Sequence, residues 1–156
     1  MRNCPSMLPT PYKSDCLPDG FTFHHLGLAC DGPEPTFGVL TSLGYQVGPT
    51  VTDPLQQVEL SMCSRSGMPR IEVIWPSNLK GPLQRVLEVA KCGVYHMCFR
   101  TPDRTAALRY LSSRGHRVMQ VIEPRPAVLF GGASVSFHFI SGLGLTEILE
   151  SERELL

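Results

Sequence analysis

The sequence predicts an α+β fold built from two βαβββ modules, each a strand, a helix and three further strands. Three observations predict it. The order strand, helix, three strands occurs twice with a period of about 70 residues. The first strand of each copy holds a histidine among apolar residues, His25 in FHHLGL and His96 in VYHMCF. The last strand of each holds a lone carboxylate among β-formers, Glu72 in RIEVIW and Glu147 in LTEILE.

Each element has a local reason. Residues 1–20 contain proline repeatedly and few apolar residues, which predicts an irregular arm. FTFHHLGLAC alternates and is rich in aromatic and aliphatic residues, as a half-buried strand requires. DGPEPTFGVLTSLGY follows as a short helix with a proline-containing start and a stop at Gly44, and its Phe37, Leu40 and Leu43 share one face. QVGPTVTDPLQQVELSMCS and PRIEVIWP are extended pieces separated by the turn SRSGMP. In SNLKGPLQRVLEVAKCG, Leu83, Val86, Leu87 and Ala90 form an amphipathic stripe, with Gly93 available to end the helix. The pattern then restarts. VYHMCFRT is a strand, and TPDRTAALRYLSSRGH is a helix with Pro102 near its start and Gly115 at its end. HRVMQVIEP, ASVSFHFI and LGLTEILE complete the second set. The division is therefore an arm 1–20, module one 21–78, a connector helix 79–93, module two 94–150 and a tail 151–156.

At 156 residues the chain has the size of one domain with a substantial core. Fourteen basic and fourteen acidic residues balance, which excludes the broad electrostatic footprint of a nucleic-acid binder. No apolar run approaches the roughly 20 residues that span a bilayer, and the N-terminus lacks the apolar core of a secretory signal. The six cysteines are scattered, with no CxxC, and several sit in apolar runs. A reduced, cytoplasmic protein is the expectation.

The repeated His and Glu carry the chemistry. The His-to-Glu spacing is 47 residues in the first copy and 51 in the second. Matched positions in a duplicated fold become symmetry-related, so four such side chains on the inner face converge. An ionised carboxylate buried in an apolar strand must be paired, protonated or metal-bound. Two imidazoles and two carboxylates are an N/O donor set for one divalent ion, Ni, Co, Zn or Fe, whose charge two glutamates offset. His24 points to the opposite face from His25 if the strand is regular.

These segments resemble the vicinal oxygen chelate superfamily, which includes glyoxalase I, methylmalonyl-CoA epimerase, extradiol dioxygenases and metal-free antibiotic-binding proteins. The resemblance covers about residues 21–150 and is greatest to the epimerase-like glyoxalase group. HHLGLACDGPE is similar to its first strand, GVYHMCFRTPD to its GxHHxxxxVxD segment, and VLFGGASVSFHFISGLGLTEILE to its closing hairpin and final strand. The resemblance implies a curved eight-stranded mixed sheet around a metal site, with His25, Glu72, His96 and Glu147 as ligands. It implies a substrate base on a strand of the first module, where QQVELSM offers Glu59. It also implies a homodimer. Two departures stand out: Tyr95-His96 replaces the usual histidine pair, and Ala133-Ser134 stands where a basic residue often follows Gly131-Gly132. His138, in the closing hairpin, has no counterpart in the first module.

The activity implied is that of a metal-dependent lyase or isomerase of the glyoxalase type. It moves a proton, by epimerisation or isomerisation through a metal-stabilised enolate, on a small acyl or dicarbonyl substrate, free or linked to CoA or a carrier. Glu59 takes the proton and Glu147, loosened from the metal, returns it. Two alternatives stand beside it: a non-haem iron dioxygenase, since two histidines and one carboxylate suffice for such a site, and a metal-free small-molecule-binding or antibiotic-resistance protein. No nucleic-acid or membrane partner is expected. Lys80 and Arg85 on the connector form a solvated face or touch a carrier phosphate.

Overall fold

A computed structural model of the chain describes residues 17–77, 82–153 and 155. Residues 1–16 of the arm, with Cys4 and Cys16, lie outside the described residues, as do Lys80, the side chain of Arg85 and the first residues of the connector.

The first module runs β1 (Thr22–Cys30), α1 (Pro33–Ser42), β2 (Gln46–Val47), β3 (Val51–Asp53), β4 (Val58–Ser64) and β5 (Arg70–Pro76). A proline opens α1, where an absent N–H costs nothing. Gly44 ends it with φ +84, a left-handed conformation that glycine adopts without Cβ strain. Phe37 and Leu40 pack the helix on the sheet, whereas Leu43 falls past the last turn and is exposed. The strand expected after α1 is split. Gly48 N donates to Met62 O at 3.0 Å, and a Cβ at position 48 would stand 2.7 Å from that oxygen. With Pro49 next, which has no N–H to offer, β2 and β3 pair separately with β4. Eight expected strands thus become nine.

The connector helix α2 (Pro82–Val89) buries Leu83 and Leu87 against Ala29, Val58, Leu60 and Ile74. Burial of two leucines is worth about 1.5–3 kcal/mol each. Val86 and Ala90 of the expected stripe are exposed, and the helix stops before Gly93, which is already paired with Ala29 in β6 (Cys92–Thr101). Gly93 is therefore a strand residue and not a cap. In α3 (Arg104–Ser113), Asp103 Oδ1 caps the start by accepting from Ala106 N at 2.9 Å, and Gly115 follows the end with φ +86. β7 (Val118–Pro126), a 3₁₀ turn (Val128–Phe130), β8 (Ser134–Ile140) and β9 (Gly144–Glu150) complete the second module.

All strands join one mixed sheet in the order β2-β4-β5-β1-β6-β9-β8-β7, with β3 also on β4. Within each module the first and last strands pair in parallel, β1 with β5 and β6 with β9. The modules meet at the antiparallel β1–β6 ladder, where His25 faces Cys98 and Gly27 faces His96. That reciprocal pairing is the mark of a pseudo-twofold axis. One face of the sheet packs Leu40 of α1 with Cys30, Tyr45, Cys63 and Val73. The other carries two apolar clusters, one around Leu60 and Ile74 and one around Phe130, Val135 and Leu149. No helix among the described residues is long and apolar enough to cross a membrane.

Candidate metal centre

Four neighbouring strands at the middle of the sheet, β5, β1, β6 and β9, supply Glu72, His25, His96 and Glu147. Register explains the convergence. Gly27 lies opposite Glu72 on β5 and opposite His96 on β6. Cys98 lies opposite Glu147 on β9 and opposite His25 on β1. In each module the residue two after the histidine faces the glutamate, so all four side chains share one face.

The four are buried, at 0% (His25), 4% (Glu72), 2% (His96) and 3% (Glu147) relative exposure. His25 Nε2 stands 3.4 Å from Glu72 Oε2, 3.3 Å from Glu147 Oε2 and 3.3 Å from His96 Nε2. His96 Nε2 stands 3.5 Å and 3.4 Å from the same two oxygens. All four donor atoms lie within 4.8 Å of one another. A regular tetrahedron with an edge of 3.4 Å, like the five distances above, has its centre about 2.1 Å from each corner, the length of a Zn–N or Zn–O bond. Glu147 Oε2 and His96 Nδ1 are buried without a hydrogen-bond partner among the described residues. Four lone-pair atoms turned on one point, two of them anionic, fit a divalent cation.

Protons occupy the same balance when no cation is bound. Burial disfavours a charged His25, but the Glu72 and Glu147 carboxylates outweigh it and raise its pKa to about 9. Burial pushes the Glu147 carboxyl up, while His25 and His96 beside it hold it well below the usual carboxylate range. Cys98, buried next to Glu147, is raised well above the ordinary thiol value and so stays a thiol.

Two β-bulges shape the site. His24 is the extra residue of β1, between the pairs Phe23–Phe99 and His25–Cys98. Tyr95 is the extra residue of β6, between Leu28–Val94 and Gly27–His96. A bulge cancels the alternation of faces. The expectation that His24 turns away from His25 is therefore corrected: their Nδ1 atoms are 2.8 Å apart, and both rings pack on Phe130. Tyr95 likewise joins His96 in lining the cavity. Burial, and then Glu147, raise its phenol pKa, so it holds its proton. Gly27 was missed by sequence reasoning, although an isolated strand glycine signals close approach. A Cβ there would lie 2.3–2.6 Å from the His96 ring, so the imidazole occupies the space the glycine leaves.

A cavity of about 230 Å³ opens above the cluster. Val58, Leu60, Ile74, Leu83, Leu129 and Phe137 form much of its apolar wall, and Asp53, Gln56, Tyr95 and Arg125 add polar groups to those of Glu72, His96 and Glu147. Glu59 is not among the lining residues. Met62 pairs directly with Glu72 and shares its face, so Glu59, an odd number of residues away, faces the other side. There its carboxylate accepts from Thr52 Oγ1 at 3.0 and 3.2 Å. The base role expected of Glu59 is thus corrected by strand parity. His138 is also turned from the cavity, since Phe137 beside it lines the wall; its Nε2 lies 2.9 Å from Ser136 Oγ. Asp53 does line the cavity, with Oδ1 accepting from the N–H groups of Leu55 and Gln56 and Oδ2 from Gln56 Nε2. No motif marked Asp53 or Arg125; their placement depends on register.

A methylmalonyl-CoA epimerase from Mycobacterium tuberculosis superposes with TM-score 0.69 at 19% identity, over 92% of this chain and 94% of that one. A hypothetical protein from Bacillus halodurans C-125 gives 0.73 at 19% identity, over 88% and 99%. A variant methylmalonyl-CoA epimerase from Streptomyces coelicolor, in complex with 2-nitronate-propionyl-CoA, gives 0.64 at 24% identity, over 84% and 97%. At these identities the likeness establishes the fold. Comparison with curated protein sequences returns no match. The family model of the glyoxalase/bleomycin resistance protein/dioxygenase superfamily matches residues 24–137. With the greater part of its length so matched, this chain belongs to that superfamily.

Proposed function

We propose that the chain is a metal-dependent enzyme that moves a proton on a small oxygenated acyl substrate, in an epimerisation or isomerisation. The observation that carries this reading is the set of four buried N and O donors spaced 3.3–3.5 Å along five of their six edges, at a cavity. His25, Glu72, His96 and Glu147 hold the ion, with Ni, Co, Zn and Fe all suited to the donors. When bound, it supplies Lewis acidity to a substrate carbonyl oxygen.

The chain's own groups do the rest. Asp53 is the cavity carboxylate outside the ligand set among the described residues, and it takes the role of base that the resemblance assigned to Glu59. It accepts the proton from the carbon next to the carbonyl. Glu147, loosened from the ion and protonated from solvent, would return a proton, on the opposite face for epimerisation or at the neighbouring carbon for isomerisation, and Asp53 would release its own to solvent. Tyr95 donates a hydrogen bond where negative charge develops on oxygen. Arg125 provides a cation for an anionic end of the substrate, a function the Ala133-Ser134 loop lacks. The cavity volume lies below the usual range for ligand pockets, about 300–1,000 Å³. It takes the reacting acyl end and leaves any CoA or carrier outside.

The test is deuterium exchange. Protein reconstituted with Co²⁺ is incubated in D₂O with methylmalonyl-CoA and with 2-oxo acids and acyl thioesters of similar size, with and without oxygen. Metal-dependent exchange of the C–H next to the carbonyl, equal in both atmospheres, is expected. Turnover that consumes O₂ transfers the site to the oxygenase reading, and binding of small molecules by a chain that takes up no metal transfers it to the binding-protein reading.

A further inference from the structure

We infer that the C-terminal segment holds the metal centre in its binding form through a relay of two imidazoles, Leu155 C=O to His24 to His25. The inference rests on the metal-centre reading and adds to it a positioning residue, His24, and a positioning element, the backbone at Leu155.

The argument is one of hydrogen-bond direction. A carbonyl oxygen only accepts. Leu155 O lies 2.8 Å from His24 Nε2, so that nitrogen carries the proton. Neutral His24 then has its lone pair on Nδ1. That atom lies 2.8 Å from Nδ1 of His25, and one of the two must donate. His25 therefore carries a proton on Nδ1, and when its imidazole is neutral it is Nε2 that holds the lone pair. Nε2 is the atom that faces Glu72, Glu147 and His96. Arg70 reinforces the arrangement by donating from Nη1 to the same carbonyl at 3.1 Å. Arg70 Nη1 also lies 3.3 Å from His24 Nε2, longer than its own bond to the carbonyl and longer than the 2.8 Å between Nε2 and that oxygen. The opposite tautomer of His24 would set two acceptors against each other at Leu155 and, by donating to His25 Nδ1, would leave the proton of a neutral His25 on Nε2, where it blocks the metal.

The bulge at His24 makes this geometry, because only an extra residue in β1 turns both rings to one side. Phe130, packed on both, fixes the ring planes. Outer partners that set the tautomer of a ligating histidine typically change metal affinity about 10–100-fold. Nothing equivalent serves His96, whose Nδ1 has no partner among the described residues.

Zn²⁺ affinity, measured by competition with a chromophoric chelator, tests the relay. His24→Phe keeps the ring and deletes both hydrogen bonds, and a chain ending at Arg153 deletes the acceptor carbonyl. Each is expected to bind Zn²⁺ about 10–100-fold more weakly. His24→Gln, whose amide can donate to Leu155 O and accept from His25, is expected to recover most of the loss. Long-range ¹H–¹⁵N spectra of the Zn²⁺-loaded chain should show His24 protonated at Nε2 and His25 at Nδ1. Undiminished affinity in both His24→Phe and the shortened chain, or His24 protonated at Nδ1, overturns the relay and leaves the metal centre standing. Failure of the unaltered chain to bind Zn²⁺ overturns both.

Discussion

The two modules deliver the same His–Glu pair and surround it differently. His25 and His96 each follow a bulge neighbour, and each stands two residues before the partner of a glutamate. Around His25 the neighbour is His24, hydrogen-bonded to the His25 ring and tied to Leu155. Around His96 the neighbour is Tyr95, which turns to the cavity, while the ring is confined by Gly27 and by Phe137 at a centroid distance of 5.2 Å. Symmetry places the donors; asymmetry separates a histidine braced from behind from a histidine that lines the cavity.

The largest expected effect comes from removing either half of the pair. His25→Ala and His96→Ala should each lower metal affinity by more than about 100-fold, beyond the effect of an outer partner. Isothermal titration with Co²⁺ compares them directly, and a large inequality would break the symmetric account.

The next contrast uses the residues at the twofold-related positions Gly27 and Cys98. Gly27→Ala places a methyl inside the His96 ring, so the ring must move. Overpacking of this kind costs about 1–3 kcal/mol, read from urea midpoints, and metal occupancy should fall with it. Cys98→Ala at the matching position removes atoms instead, and should leave metal occupancy near normal with a smaller loss of stability. Equal metal loss in the two would mean that ring space is not what Gly27 supplies.

The carboxylates give a third contrast. Asp53→Asn should keep the metal and reduce proton exchange about 100-fold or more, whereas Glu59→Gln, on the far face of β4, should retain near-normal exchange. A smaller effect is expected of Arg125→Ala, about a tenfold rise in KM for an anionic substrate with kcat little changed.

The metal-free chain should also respond to pH in a direction the metal-loaded chain does not share. His25 has a folded pKa of about 9 against an ordinary value of 6.5. Its contribution to stability is complete below pH 6.5 and is lost as pH rises through 9. Glu147, depressed in the folded state, contributes above its ordinary value of 4.5 and loses that contribution as the solution is acidified. Urea midpoints of EDTA-treated protein should therefore fall between pH 6.5 and 9.5, while bound metal, which requires His25 without its Nε2 proton, should hold better over that range.

Much of this was legible in the sequence because repetition encodes symmetry. Two apolar-flanked histidines and two strand glutamates at matched spacing were enough to place four residues on adjacent strands. Parity was less legible. His24 follows the rule of alternation only in a regular strand, and the bulge that breaks the rule has no marker in FHHLGL. Glu59 stands thirteen residues before Glu72 across a hairpin, and only the observed pairing of Met62 with Glu72 puts it on the wrong face. Asp53 and Arg125 reach the cavity from strands toward opposite ends of the sheet, a convergence set by packing and carried by no local pattern. The split between β2 and β3, by contrast, was written in Gly48-Pro49.

The most direct test of the central claim is anomalous diffraction at the cobalt edge from crystals grown with Co²⁺. A single strong peak per chain within bonding distance of His25 Nε2, Glu72, His96 Nε2 and Glu147 is the result expected. A map without a peak there, or with the ion elsewhere, such as between His24 and Cys98, would contradict it.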